Sequence, residues 1–452
     1  MTEQIKKLII DIIDELNYDP SDIELQKYLY EKGRKAFQKI NLNHYSINDI
    51  RNFLISNIPT LMKEYFRMKN AIETKRKDST NFGVSINYQL LELFKYMNST
   101  SLEDEFSLLK KQFLQSQQFV FPGLWECSLE EIRSIYQNII TNCDIITPEA
   151  EAKMIITIPE NIPFFTHDGT VNSQIFNFSY LDQIVSFAKE NQMKVRLHTL
   201  IWHKQFPKML ENCSSEQIIN FLDTYFAAIA TRYGNDIFYS IDVLNEIVAD
   251  VHSEEFQKGQ VLRESKWKEK LGDDYYLTVL KLARKNFPNS LLVYNEYDET
   301  NKNKRDKMIT VIDKIKQEEK MTGTTLLNCI GLQSHYHQYT TDKEIKSAYS
   351  DLYQTGKELQ VSELDVATIG EKDDVQIHRV FRTVLDCAAS YQVKSFTCWG
   401  PSSSISWKSG QVSTFLNDSG EIDENCKEVV KTFSQKEKRK HDIKLDVNSV
   451  SI

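Results

Sequence analysis

The chain has 452 residues, 26% charged and 41% hydrophobic, enough for one large barrel with a smaller appended unit. Its formal net charge of −9 argues against a nucleic-acid or anionic-membrane surface and leaves a neutral ligand open. Seven cysteines are scattered without a C-x-x-C pair, which excludes a zinc knuckle or disulfide framework and reads as reduced thiols in a cytosolic protein.

The N-terminal residues 1–76 read as an all-helical extension. Ile5, Leu8, Ile9, Ile12, Ile13 and Leu16 recur at helical spacing, Pro20 ends that stripe, and Ser21 with Glu24 forms a capping box for the next helix. Asp11, Asp14 and Glu15 interrupt the first apolar stretch, so it does not read as a secretory signal, and no later run reaches transmembrane length. The expected location is cytoplasmic, with an unknown partner left open for the helical extension. Residues 73–80, ETKRKDST, are the linker candidate.

From residue 81 short β-branched runs alternate with amphipathic helices, the pattern of βα units around a parallel sheet. The runs are 81–86, 143–147, 194–202, 238–244, 290–297, 328–335, 359–364 and 395–400, with helices such as 179–191 and 215–234 between them. Eight repeats predict an α/β fold, a closed (β/α)8 TIM barrel over 81–433. An open doubly wound sheet is the alternative, but no glycine-rich phosphate turn follows the first run. The long gap between runs one and two marks about 98–130 as an insertion, expected to shape one end of a cleft. Residues 434–452 form a charged tail.

Two glutamates stand out. Glu246 closes FYSIDVLNE and Glu363 sits in LQVSELDVA, each at the C-terminal end of a strand, where a barrel of this kind carries its chemistry. Two carboxylates on different strands suit glycoside hydrolysis: one protonates the leaving oxygen, the other attacks or activates water. The neighbouring strand ends carry His198, Trp202, His203 and Gln205, then Asn245, Asn295 and Tyr297, then Gln333 and His335, then Asp365, Trp399 and Trp407. Amides, imidazoles and carboxylates bond sugar hydroxyls, and indole faces cover a pyranose ring. His203 reads equally as a structural histidine, and Trp267 in RESKW as helix packing. Without close metal-ligand spacing, neither a metal nor another cofactor is expected.

The segments RLHTLIWHKQFP (196–207), IDVLNE (241–246), LLVYNEYD (291–298), IGLQSHY (330–336), VSELD (361–365) and WGPSSSISW (399–407) resemble, in order, the signatures of glycoside hydrolase family 10, best known for retaining endo-β-1,4-xylanases. The resemblance implies Glu246 as acid/base, Glu363 as nucleophile and Asn245 at the sugar 2-hydroxyl. It also implies His335 oriented by Asp365 beside the nucleophile, and His198, Trp202, Gln205, Trp399 and Trp407 lining the non-reducing side. Glu149 and Lys153 match the family's sugar-binding pattern, but Ala150 replaces an amide between them. Ser403 and Glu296 stand where the family usually has Asp, Pro401 where it has a β-branched residue and Leu197 where it has Gly, and all five departures touch recognition rather than the catalytic pair. The implied activity is retaining hydrolysis of xylan fragments or xylo-oligosaccharides. Alternatives are the same mechanism on another β-glycan or glycoside, or a non-catalytic carbohydrate-binding protein.

Overall fold

The computed structural model describes residues 80–436, except 96–105, 110, 112–121, 160–164, 167–169, 235 and 409, together with 2–15, 25–26, 29, 50–52, 54–56, 58 and 62. The chain divides into two compact units, Met1–Ser79 and Thr80–Ile452. In the first, the helix Thr2–Glu15 buries Ile9, Ile12 and Ile13 in a core with Leu25, Leu29, Ile50, Leu54, Ile58 and Met62. Of the apolar stripe expected there, Leu8, Ile9, Ile12 and Ile13 face that core, while the Ile5 side chain, Leu16 and the Ser21–Glu24 capping box lie outside what the structure describes. The 434–452 tail beyond Lys436, most of the 73–80 linker and most of the 98–130 stretch lie outside the described residues.

The second unit is a closed barrel. Its strands are β1 (Asn81–Ile86), β2 (Ile145–Pro148), β3 (Lys194–Leu197), β4 (Phe238–Asn245), β5 (Leu291–Glu296), β6 (Cys329–Leu332), β7 (Glu358–Ala367) and β8 (Ser395–Cys398). Each is parallel to its neighbours in chain order, and β8 pairs with both β7 and β1, so no edge is left. Closure rules out the open doubly wound alternative. The strands carry nearly unbroken apolar or β-branched runs because both faces are covered: β1 is buried throughout, and β7 in all but its first residue. Two runs extend beyond the barrel proper. Ile201–Trp202 continues β3 after a cis His198–Thr199 peptide, and His335–His337 runs alongside the end of β7.

The helices are set by their ends as well as their apolar faces. Ser128 with Glu131, Ser214 with Gln217, and Thr341 with Glu344 form reciprocal capping boxes. The helix Ser215–Tyr233 stops at Gly234, whose φ of +73° a side chain resists. The helix Leu129–Asn142 begins inside the stretch read as an insertion, so residues 129–130 belong to the barrel's own helical layer. One continuous core joins barrel and helices, including Phe82, Val84, Ile146, Val195, Ile241, Leu292, Ile330 and Val361. Among the described residues no helix is long and apolar enough to cross a membrane.

Gly83 is one position where the barrel tolerates no side chain, because a Cβ there would lie 2.8 Å from the carbonyl oxygen of Ile145. Gly83→Ala is expected to destabilise the barrel by about 1–3 kcal/mol through overpacking, read as a lowered Tm in thermal denaturation. An unchanged Tm would show that β1 and β2 separate without cost.

Candidate active site

At the C-terminal mouth, β7 presents Glu363 inward, and three strands supply its partners. Asn295 from β5 donates its amide N–H to Glu363 Oε1 at 2.6 Å. His335 Nε2 lies 3.2 Å from Glu363 Oε2, and His335 Nδ1 lies 3.0 Å from Asp365 Oδ1. The second contact is off the axis of a good hydrogen bond, so its contribution is chiefly coulombic. Trp407 donates its indole N–H to the other Asp365 oxygen at 2.6 Å.

These partners divide the charge. Burial opposes ionisation of Glu363, but the charges of His198, His335 and Arg196 and the hydrogen bond from His335 outweigh it and hold the group at about 2. Burial likewise opposes protonation of His335, yet Asp365 and Glu363 raise it to about 10. At neutral pH His335 is therefore an imidazolium between two carboxylates, with both ring nitrogens protonated.

Beneath this layer, Arg196 in β3 and Asp242 in β4 form a fully buried ion pair at 2.5 Å. Asp242 Oδ2 also lies 2.7 Å from His198 Nδ1, which in turn is 3.8 Å from Glu363 Oε1. His198, Asp242 and Glu363 converge closely enough to resemble a metal-ligand set. The guanidinium already neutralises Asp242, however, and a further cation would face it at close range.

Glu246 directly follows β4 with a left-handed φ of +56°, a conformation costing a non-glycine residue about 1–3 kcal/mol. Its backbone N–H continues the ladder to the Asn295 carbonyl at 3.0 Å. Trp202 donates to Glu246 Oε2 at 2.8 Å, and Gln333 donates to Oε1 at 3.2 Å. His203 Nδ1 sits 3.8 Å from Oε2. Burial and then the Arg263 charge push His203 down to about 4, so at neutral pH it is uncharged. The two glutamates are joined by amides: Gln333 reaches Glu246, and Asn295 bridges Asn245 Oδ1 (2.8 Å) and Glu363.

Toward β1 and β2, Glu149 is buried and accepts from Ser85 Oγ at 3.0 Å, while Gly400 N–H donates to Ser85 Oγ at 2.6 Å. Burial, then the neighbouring Glu151, raises Glu149 to about 8. Lys153 Nζ stands 4.7 Å from the Trp202 ring centroid, and burial lowers its pKa against the pull of Glu363, Glu149 and Glu246. Trp399 is buried edge-on to His198 at 5.4 Å, whereas Trp407 is 52% exposed and free to meet a ligand.

The structure thus brings together Glu246, Glu363, Asn245, His335, Asp365, His198, Trp202, Gln333, Glu149, Lys153, Trp399 and Trp407. Three expected ligand contacts differ in character. Asn295 is fully buried with its amide engaged by protein partners. Tyr297 directs its hydroxyl to Asp250 at 2.5 Å, with Lys304 Nζ 3.3 Å from its ring centroid. Gln205 lies in the turn after Trp202, its backbone N–H bonded to the Trp202 carbonyl. Sequence reasoning missed Arg196, Asp242 and Ser85; the only signal for the first two was a charged residue inside each of two apolar strands.

A closed (β/α)8 barrel with two held carboxylates, amides and indoles at its mouth fits the class of carbohydrate-cleaving barrel enzymes. Residues 112–432 match the family model described as Glycosyl hydrolase family 10. The chain belongs to that family and is a glycoside hydrolase. It is 27% identical over 303 residues to endo-1,4-beta-xylanase A of Caldicellulosiruptor saccharolyticus, covering 62% of this chain and 81% of that protein. The endo-1,4-beta-xylanase structure from Caldicellulosiruptor owensensis superposes with a TM-score of 0.60 at 22% identity, covering 79% of this chain and 98% of that one. A mutant solved in complex with xylotriose superposes at 0.59 with the same identity and coverage.

Removing the His335 cation should raise the pKa of Glu363, since an opposite charge in contact shifts a carboxyl by roughly 1–3 units. The acidic limb of the pH–activity profile should therefore move upward in His335→Ala, with activity lost sooner as pH falls. A profile with the same acidic limb as wild type would show that His335 does not keep Glu363 ionised.

Proposed function

We propose that this enzyme is a retaining endo-β-1,4-xylanase acting on xylan fragments or xylo-oligosaccharides. The observation that carries the reading is the unequal treatment of two carboxylates in one mouth. Glu363 is held ionised and aimed by His335 and Asn295, while Glu246 is gripped by the neutral donors Trp202 and Gln333. Retaining hydrolysis needs that division between nucleophile and acid/base.

In the first step Glu363 attacks the anomeric carbon while Glu246 gives its proton to the departing oxygen, forming a glycosyl ester on Glu363. In the second, Glu246 takes a proton from water as the water attacks the same carbon, releasing Glu363 and restoring the β configuration. Asn245, its Oδ1 fixed by Asn295, directs its amide N–H groups toward the sugar 2-hydroxyl. His335, oriented by Asp365, offsets the charge that returns to Glu363 on ester cleavage. Glu149, Lys153, His198, Trp399 and Trp407 hold the glycone side, and Trp202 the junction. The relatives named as xylanases and the neighbour holding xylotriose support a xylose-based chain. The seven cysteines stand as thiols, six of them buried, which suits a reducing cytoplasm and short oligosaccharides as substrates.

A second reading, the same chemistry on another β-glycan, is favoured by Ala150 and Ser403, where the side chains that would reach the sugar are short.

Product analysis from xylohexaose tests the assignment. Wild type should release short β-configured xylo-oligosaccharides by NMR, and Glu246→Ala and Glu363→Ala should each lose that cleavage while keeping the fold. Cleavage of a different β-glycan but not xylohexaose would sustain the mechanism and overturn the substrate. Ala150→Asn should restore one sugar hydrogen bond, worth about 0.5–1.5 kcal/mol, and lower KM for xylo-oligosaccharides by roughly two- to tenfold. An unchanged KM would mean that this position does not meet the sugar.

A further inference from the structure

The segment RESKW (263–267) follows Glu246 by 17 residues and returns to it from the side. Arg263 folds its backbone N–H onto the Ile247 carbonyl at 2.8 Å and donates Nε to the carbonyl of Glu246 itself at 3.2 Å. Its Nη2 donates to the Tyr297 hydroxyl at 2.9 Å, and that hydroxyl donates to Asp250. Four positions further on, buried Trp267 donates its indole N–H to the Trp202 carbonyl at 3.0 Å, and Trp202 in turn holds the Glu246 carboxylate. Ser265 caps the short helix that carries Trp267, tying the two anchors together.

We infer that Arg263 is a positioning residue for the acid/base, and that RESKW braces Glu246 twice, through its backbone and through Trp202. The physical need is the left-handed φ at Glu246. A non-glycine residue leaves that conformation unless its neighbours over-determine it. Glu246 has one ladder bond on its N–H side, from its own amide to Asn295. Arg263 supplies the restraint on the carbonyl side. Its planar fork spans Glu246 and Tyr297 together, a geometry that a lysine ammonium cannot reproduce. A carboxyl that drifts by an ångström no longer meets the glycosidic oxygen along the proton-transfer line.

This inference rests on Glu246 being the acid/base, and the test separates the two. Aryl β-xylobiosides with a poor leaving group (phenyl) and a good one (2,4-dinitrophenyl) would be compared in wild type, Glu246→Ala, Arg263→Met and Arg263→Lys. A misaligned acid costs most where the leaving group needs a proton. Arg263→Met should therefore lose about 10–100-fold in kcat/KM on the phenyl substrate and no more than about threefold on the dinitrophenyl one. Arg263→Lys should show the same asymmetry, because charge without the fork does not restore the brace. Trp267→Phe keeps the ring volume but removes the N–H to Trp202, and should show the asymmetry even where an Arg263 variant fails to fold. Equal losses on both substrates in every variant, or none, would overturn the inference while Glu246→Ala keeps its asymmetry. Absence of asymmetry in Glu246→Ala would instead overturn the acid/base assignment beneath it.

Discussion

The side-chain amide of Asn295 links Glu363 to the strand end that carries Asn245 and Glu246. Its Nδ2 donates to Asn245 Oδ1 and to Glu363 Oε1, while its Oδ1 receives Ser362 Oγ at 2.7 Å and Arg196 Nη2 at 3.2 Å. With those four bonds the amide has one workable orientation, since a flip would set oxygen against carboxylate and NH2 against guanidinium. Gly331 lies alongside, and a Cβ there would run into Asn295 Oδ1. The amide's fixed direction sets where Glu363 points and how the Asn245 amide is turned. Burying Arg196 and Asp242 to secure it carries a desolvation cost that their mutual attraction offsets only with close contact and added hydrogen bonds. The contact is close, and Asn295, the Ser362 carbonyl and His198 add hydrogen bonds, while Arg196 Nε and Asp242 Oδ1 are left without a partner among the described residues.

From that framework follows the way carboxyl groups a few residues apart in space come to differ. Glu363 has cations or donors around it and stays low. Glu149, equally buried, faces Glu151 and a serine hydroxyl, and rises to about 8. At neutral pH Glu149 is thus mostly protonated and offers an O–H donor as well as an acceptor, while Glu363 only accepts. One mouth therefore holds an ionised carboxylate and a carboxylic acid, and burial alone separates neither: the neighbours decide.

The barrel was legible because strands covered on both faces read as apolar, β-branched runs and their polar ends mark the mouth. Glu246, Glu363, His335 and Asp365, which the structure gathers at that mouth, were legible as strand-end residues. The split of β3 at His198–Thr199 was not, since KVRLHTLIW carries no breaker residue. Arg196 and Asp242 were passed over because a charged residue in a strand is uninformative until its cross-strand partner is known. Arg263 was illegible for the same reason at longer range: its contacts run to a strand end 17 residues upstream and to Tyr297 on the next strand. Asn295 was read as a ligand contact because an amide at a strand end looks the same whether it faces solvent or the barrel interior.

Four of the five departures from the family pattern fall on two kinds of position, and the difference explains which of them the barrel had to accommodate. Ala150, Pro401 and Ser403 lie in loops after β2 and β8, where the backbone does the structural work. Ala150 N–H bonds Glu151, the Pro401 carbonyl accepts from Leu416, and the Ser403 carbonyl accepts from Gly410 and Ser406. None of those bonds depends on the side chain, so only ligand contacts change with it. Glu296 is different, being fully buried against the loop that follows Glu246. Its carboxylate takes Val248 N–H at 3.1 Å and Tyr294 O–H at 2.9 Å, and Lys304 stands 3.1 Å away. A longer carboxylate at that position is held only by this set of partners, since a buried charge without them would be expelled or neutralised. Recognition at the loops can thus drift residue by residue, whereas the layer under Glu246 changes only when its partners accommodate the change.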